Sequence, residues 1–129
     1  MPLVRITQQD VRSASDSRRL ADIVQDVMLA LFAAPAGDRY QILETLPVGS
    51  IIAEDTGLGI ERSDGVVIIQ ITQQGRDARQ KQAIYEALAQ RLGDAGLVRP
   101  EDLIISVVAN GHEDWSFGHG RAQFLTGEL

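Results

Sequence analysis

Val4-Arg5-Ile6-Thr7-Gln8-Gln9 returns as Ile69-Gln70-Ile71-Thr72-Gln73-Gln74. The two copies make the chain an internal repeat, and the segments after them are alike. After the first, Leu20, Ile23, Val24, Val27, Met28 and Leu31 recur at steps of three and four, the stripe of an amphipathic helix. Ser15 or Asp16 is the expected cap. After the second, Ile84, Leu88 and Leu92 form the equivalent stripe, with Asp77 as the expected cap and Gly93 as the expected stop. Each helix leads through a turn into a further strand. Ala36-Gly37-Asp38 precedes Tyr40-Gln41-Ile42-Leu43, and Pro100-Glu101-Asp102 precedes Leu103-Ile104-Ile105-Ser106-Val107-Val108.

This pattern gives two tandem βαβ units, one over about residues 2–46 and one over about 66–109. Right-handed crossovers put both helices on one face of a four-stranded sheet, an α+β fold in a single domain spanning 1–129. Val66 to Ile71 and Leu103 to Val108 are apolar at nearly every position, as in strands covered on both faces. The helices of one chain cover only one face, so the expected state is an oligomer. Two segments lie outside the repeat. Residues 47–65 form a glycine-rich connection with a short strand candidate at Ile51-Ile52-Ala53. The tail, 111–129, holds the only tryptophan and two of the three phenylalanines, enough aromatic surface to cover a pocket or a neighbouring subunit.

Composition bounds the function. The 129 residues carry 44% hydrophobic and 23% charged side chains, as in an ordinary globular domain. The net charge of −6 argues against nonspecific nucleic-acid binding, and an anionic substrate needs a local cationic pocket. The absence of cysteine excludes disulfides, zinc–thiolate sites and cysteine nucleophiles. No apolar run approaches the roughly 20 residues of a membrane span, and no signal-peptide pattern opens the chain; a cytoplasmic protein is expected. His112 and His119 stand apart, without the spacing of a metal site, and Gly57-Leu58-Gly59 lacks the third glycine of a dinucleotide fingerprint. Neither a metal nor another cofactor is expected. Adjacent Glu54 and Asp55 make a poor acid–base pair, because neighbours on a strand face opposite sides.

Chemistry enters at Pro2. A small second residue lets Met1 be trimmed, which leaves Pro2 with a free secondary amine at the mouth of the first strand. That amine can act as a base, a cationic acid or an iminium-forming nucleophile, according to its pKa. With Met1 in place the nitrogen is an amide and has none of this chemistry. Asp38 stands at a loop-to-strand junction, where it reads either as a turn residue or as a carboxylate partner for a cation. Arg76 opens the second helix, a place the helix dipole makes mildly unfavourable for a cation; it reads either as a solvated arginine or as a clamp for a carboxylate.

A duplicated βαβ chain that starts Met-Pro and lacks cysteine resembles the tautomerase superfamily. Asp38-Arg39-Tyr40-Gln41, Glu54-Asp55-Thr56-Gly57-Leu58-Gly59, Asp114-Trp115-Ser116-Phe117-Gly118 and Gly120-Arg121-Ala122-Gln123-Phe124-Leu125-Thr126-Gly127-Glu128-Leu129 are similar to the malonate semialdehyde decarboxylase family within it. The likeness extends over essentially the whole chain. It implies a homotrimer, cofactor-independent loss of CO2 from malonate semialdehyde to give acetaldehyde, and promiscuous hydration of 2-oxo-3-pentynoate or haloacrylates. It also implies roles. The catalytic proline falls on Pro2, its carboxylate partner on Asp38, and the second of an arginine pair on Arg76. The first arginine falls on Gln74, a departure that removes a charge and keeps an amide donor. The apolar wall of the pocket falls on Trp115, Phe117, Phe124 and Leu129. The expected partner is thus a small anionic oxo acid, with no nucleic acid or membrane. Two other readings remain open: a keto–enol tautomerase or haloacrylate-dehalogenating hydratase, and a non-catalytic trimeric binding protein.

Overall fold

The structure is a computed structural model and describes residues 2–129; Met1, and with it the question of its removal, lies outside the described residues. Four strands, β1 (Leu3–Gln9), β2 (Tyr40–Leu46), β3 (Val67–Gln74) and β4 (Leu103–Asn110), join in the order β2-β1-β3-β4. The pairs β1/β2 and β3/β4 are parallel, each bridged by a helix: α1 (Ala14–Leu31) and α2 (Ala78–Asp94). The two central strands, β1 and β3, meet antiparallel with Val4 against Ile71 and Ile6 against Ile69. The sheet is therefore mixed, and the two repeated segments pair with each other at its centre.

Alternation explains which face is filled. Val4, Ile6, Val67, Ile69 and Ile71 point to one side, where Leu20, Val24, Val27 and Met28 of α1 and Ile84, Leu88 and Leu92 of α2 close over them. All of these are essentially excluded from solvent. Burying each such side chain stabilises the fold by roughly 1.5–3 kcal/mol, so these twelve form most of the driving force. The opposite face is uncovered. Leu3 and Ile42 are 37% and 38% exposed and Val108 is 61% exposed. The near-continuous apolar runs of the sequence thus divide into one filled face and one open one.

Three local expectations are corrected. The cap of α1 is Ser13, not Ser15 or Asp16; its hydroxyl accepts from the Asp16 N–H at 3.1 Å. Gly93 lies inside α2 rather than ending it, and Pro100 packs 3.5 Å from where a Cβ would sit there. The chain leaves the helix at Gly96, whose φ of 68° is the left-handed conformation that a helix terminus favours. Ile51-Ile52-Ala53 is not a strand: it has no pairing partner among the described residues, and Ile52 is 91% exposed. By contrast, Asp77 caps α2 as expected, in a reciprocal capping box with Gln80.

Candidate active site

One end of the sheet gathers the residues singled out by sequence. Parallel pairing sets Leu3 of β1 against Tyr40 of β2, so Pro2, one residue earlier, comes level with the Asp38-Arg39 turn. That turn is closed by the Asp38 N–H donating to the Pro35 carbonyl at 3.1 Å. Pro2 is buried and Asp38 is only 5% exposed. Its neighbour Arg39 is held away by Asp22, at 2.7 Å. This contact, ahead of a second from Arg18, holds the Asp22 carboxyl below its usual range.

Beside the turn lies a cavity of about 490 Å³ walled by Pro35, Ala36, Gly37, Asp38, Tyr40, Phe117, Gln123, Glu128 and Leu129. Its aromatic wall is built from the tail. Trp115 stacks on Phe117 at 5.2 Å and 8° between ring planes; Phe117 meets Phe124 edge-on at 5.7 Å and Tyr40 at 5.5 Å. His112, exposed, stacks on Phe124 at 4.5 Å and so adds a ring to this aromatic layer. Of the four wall residues expected from sequence, Phe117 and Leu129 face the cavity, while Trp115 and Phe124 support Phe117 from behind.

Sequence reasoning missed three contributors. Tyr40 lines the cavity as the first residue of β2. Gln123 fixes the tail by accepting from the Phe117 N–H at 2.9 Å and donating to the Gly118 carbonyl at 2.9 Å. Glu128 brings a carboxylate to the rim. Tyr40 had a signal, two residues beyond Asp38 on the same strand end; the clamp at Gln123 had none, because it depends on how the tail folds back.

Arg76 is placed differently from a residue pointing into open solvent. Its Nη1 donates to the carbonyls of Gln74 at 3.0 Å and Gly75 at 3.2 Å, and its Nη2 to the Phe32 carbonyl at 2.7 Å, with the guanidinium carbon 5.5 Å from the Phe32 ring centre. Phe32 is the C-cap of α1, so Arg76 ties one helix's start to the other helix's end and neutralises part of its terminal dipole. Three of five guanidinium N–H groups are engaged, leaving Nε–H and one Nη2–H. Arg76 does not line the cavity, but Phe32 is three residues before Pro35, which does. Gln74 ends β3, opposite Asn110 of β4, half-buried.

The described residues contain no group of three His, Cys, Asp or Glu side chains disposed to hold a metal ion, and no helix long and apolar enough to cross a membrane.

Comparison with known proteins agrees with this architecture. Residues 38–118 match the family described as tautomerase enzyme. A probable tautomerase, YrdN, from Bacillus subtilis (strain 168), is 42% identical over 129 residues, all of both chains. The structure of FG41 malonate semialdehyde decarboxylase inhibited by 3-bromopropiolate is 44% identical and superposes with a TM-score of 0.93, over 98% of this chain and 97% of that one. A second malonate semialdehyde decarboxylase, solved as wild type, mutant and inactivated protein to explain decarboxylase and hydratase activities, is 37% identical with a TM-score of 0.92 over 98% of each chain.

Proposed function

The chain belongs to the tautomerase enzyme family, and from that premise we propose that it is a cofactor-independent decarboxylase of malonate semialdehyde. The observation that carries this reading is the placement of Pro2 level with the Asp38-Arg39 turn, at the end of the sheet where Asp38 lines an aromatic-walled cavity. Likeness to two malonate semialdehyde decarboxylases over nearly the full length supports the choice of substrate.

The chemistry is derived from the residues. In malonate semialdehyde the carboxylate sits β to an aldehyde. Loss of CO2 breaks the bond between carboxylate carbon and methylene, and the electron pair moves to the aldehyde oxygen as an enolate. A protonated Pro2 amine hydrogen-bonds to that oxygen and stabilises the developing charge; condensation to a cationic iminium serves the same end. A proton then adds to carbon, and acetaldehyde leaves. Asp38 beside Pro2 favours the protonated amine. The two free N–H groups of Arg76 and the amide of Gln74 orient the substrate carboxylate, a weaker clamp than two arginines. Phe117 and Leu129, backed by Trp115 and Phe124, supply an apolar surround from which neutral CO2 departs more readily than a carboxylate stays. The same cationic Pro2 and a water held by Asp38 hydrate activated acids such as 2-oxo-3-pentynoate or haloacrylates as a side reaction.

The open sheet face supports a homotrimer, the assembly implied by the family resemblance. A keto–enol tautomerase is the second reading, favoured by the name of the Bacillus subtilis relative. The two differ in the protonation of Pro2: a tautomerase needs a neutral amine near pH 7 as its base, a decarboxylase a cation. The test is incubation of purified protein with malonate semialdehyde beside a Pro2→Ala variant. Acetaldehyde formation that depends on Pro2 is expected, and no turnover above the variant overturns the reading.

A further inference from the structure

Gln73 is entirely buried, yet neither Nε2 nor Oε1 of its side chain has a hydrogen-bond partner among the described residues. An unpartnered buried amide is destabilising, so its retention calls for a cause. The internal repeat supplies the comparison. Gln8 holds the same place in the first copy, and its amide is fully used: Nε2 donates to Ser17 at 2.8 Å and Thr45 at 3.0 Å, and Oε1 accepts from Arg12 at 3.2 Å. Two of these partners have counterparts near Gln73 that fail to serve. The residue paired with Gln73 across the parallel ladder is Ala109, where Gln8 has Thr45. Arg12 and Arg76 each directly precede a helix cap, but Arg76 turns to the carbonyls of Gln74, Gly75 and Phe32.

The antiparallel register shows which residue stands across from Gln73 instead. Val4 faces Ile71 and Leu3 faces Thr72, so the next residue opposite Gln73 is Pro2. Both are buried, and both fall on the face shared by Val4 and Ile71. Side chains directly opposite on antiparallel strands have Cβ atoms roughly 4.5–5.5 Å apart, within reach of a glutamine amide. A proline nitrogen bonded to a preceding residue has no hydrogen to give; a free, protonated one has two. We propose that Gln73 is a positioning residue for Pro2: its Oε1 accepts a hydrogen bond from the free Pro2 ammonium, orienting the nitrogen and favouring its charged form. This rests on the reading of Pro2 as a free amine. The charged groups around that end are Asp38 and Arg39 before β2, Arg76 and Asp77 before α2, Glu128 in the tail, and His112, Glu113 and Asp114 after β4. Arg39 is paired with Asp22, and the Asp38-Arg39 turn on one side and Gln73 on the other are what the strand pairing brings level with Pro2.

The test is a 15N-NMR titration of Pro2 in full-length wild-type protein, Gln73→Met and, as the internal control, Gln8→Met. Gln73→Met is expected to lower the Pro2 pKa by about one unit, the size of one charge-assisted hydrogen bond. Gln8→Met is expected to lower the thermal midpoint and leave the Pro2 pKa in place. In wild-type protein the Gln73 side-chain amide resonances are expected to shift in step with the Pro2 titration, a readout independent of any variant's folding. A free Pro2 whose titration neither moves in Gln73→Met nor registers on the Gln73 amide overturns the inference alone, and assigns the amide to a buried water or a neighbouring subunit. Intact mass with Met1 retained overturns it together with the proposed function.

Discussion

Two aspartates at equivalent places in the repeat meet different neighbours. Asp38 and Asp102 each end a turn that closes onto a carbonyl three residues back, Pro35 and Arg99. Asp102 is 1% exposed and spends its carboxylate on the long connection, accepting from the Ser63 N–H at 2.7 Å and the Ser63 hydroxyl at 2.6 Å. Asp38 instead borders the aromatic-walled cavity, at the end of the sheet where β1 begins. Asp102→Ala is expected to lower stability by about 1–3 kcal/mol, because it strands a buried N–H, with residual activity per folded molecule retained; denaturant midpoints and active-site-normalised rates check this. Asp38→Asn keeps the shape of the turn and is expected to leave the thermal midpoint nearly unchanged while turnover falls about 10²–10⁴-fold, the range for loss of a positioned acid–base group. Steady-state rates beside circular dichroism separate the two effects. In the sequence both aspartates stand at turns, and only the family resemblance singles out Asp38. The neighbour each meets, Ser63 or the cavity, tells them apart, and no local pattern encodes that.

At the scale of elements, the repeat is legible in the sequence because it rests on periodicity. Steps of three and four put Leu20, Val24 and Val27, and Ile84, Leu88 and Leu92, on inward stripes, and alternation does the same for β1 and β3. In the connection over 47–65, apolar content alone suggests a strand at Ile51-Ile52-Ala53 and misleads; a strand needs an edge to pair with. Side-chain acceptors hold that connection instead. Gln9 Oε1 accepts from the N–H groups of Gly49 at 2.8 Å and Ile51 at 3.0 Å, and Asp55 accepts from those of Gly57 at 3.2 Å and Gly59 at 2.8 Å. The Gly57 and Gly59 N–H groups hold the Asp55 carboxyl below its usual range. A depressed folded-state pKa contributes stability that is complete above the unfolded value and is lost as pH falls through the folded one. Asp55→Asn is therefore expected to be less stable than wild type at neutral pH, with the gap closing on acidification below the ordinary carboxylate range. Thermal midpoints of both proteins between pH 7 and pH 2 check this; a gap that is constant across that range contradicts it.

At the scale of the molecule, the two faces of the sheet differ. The helices seal one face of the sheet, and the other carries Leu3, Ile42 and Val108 beside Arg5, which pairs with Glu44 at 3.1 Å. An apolar patch on an otherwise acidic, well-packed chain marks an interaction surface, and a row of charge among it sets register more than strength. The sequence carries this in the near-continuous apolar runs of β3 and β4, which one layer of helices cannot bury on both sides. It does not carry which residues meet across the interface, since that depends on a neighbour absent from any single-chain pattern. If the open face is where copies join, the protein sediments as a species three times the 14.1 kDa chain, and charge placed on that face dissociates it. Ile42→Lys combined with Val108→Lys introduces two cations on positions that are 38% and 61% exposed in the single chain, so the fold of each chain is expected to survive. Sedimentation velocity then reports the monomer, while circular dichroism remains that of wild type. An assembly unchanged by the pair would put the contact elsewhere, on the long connection around the exposed Ile52.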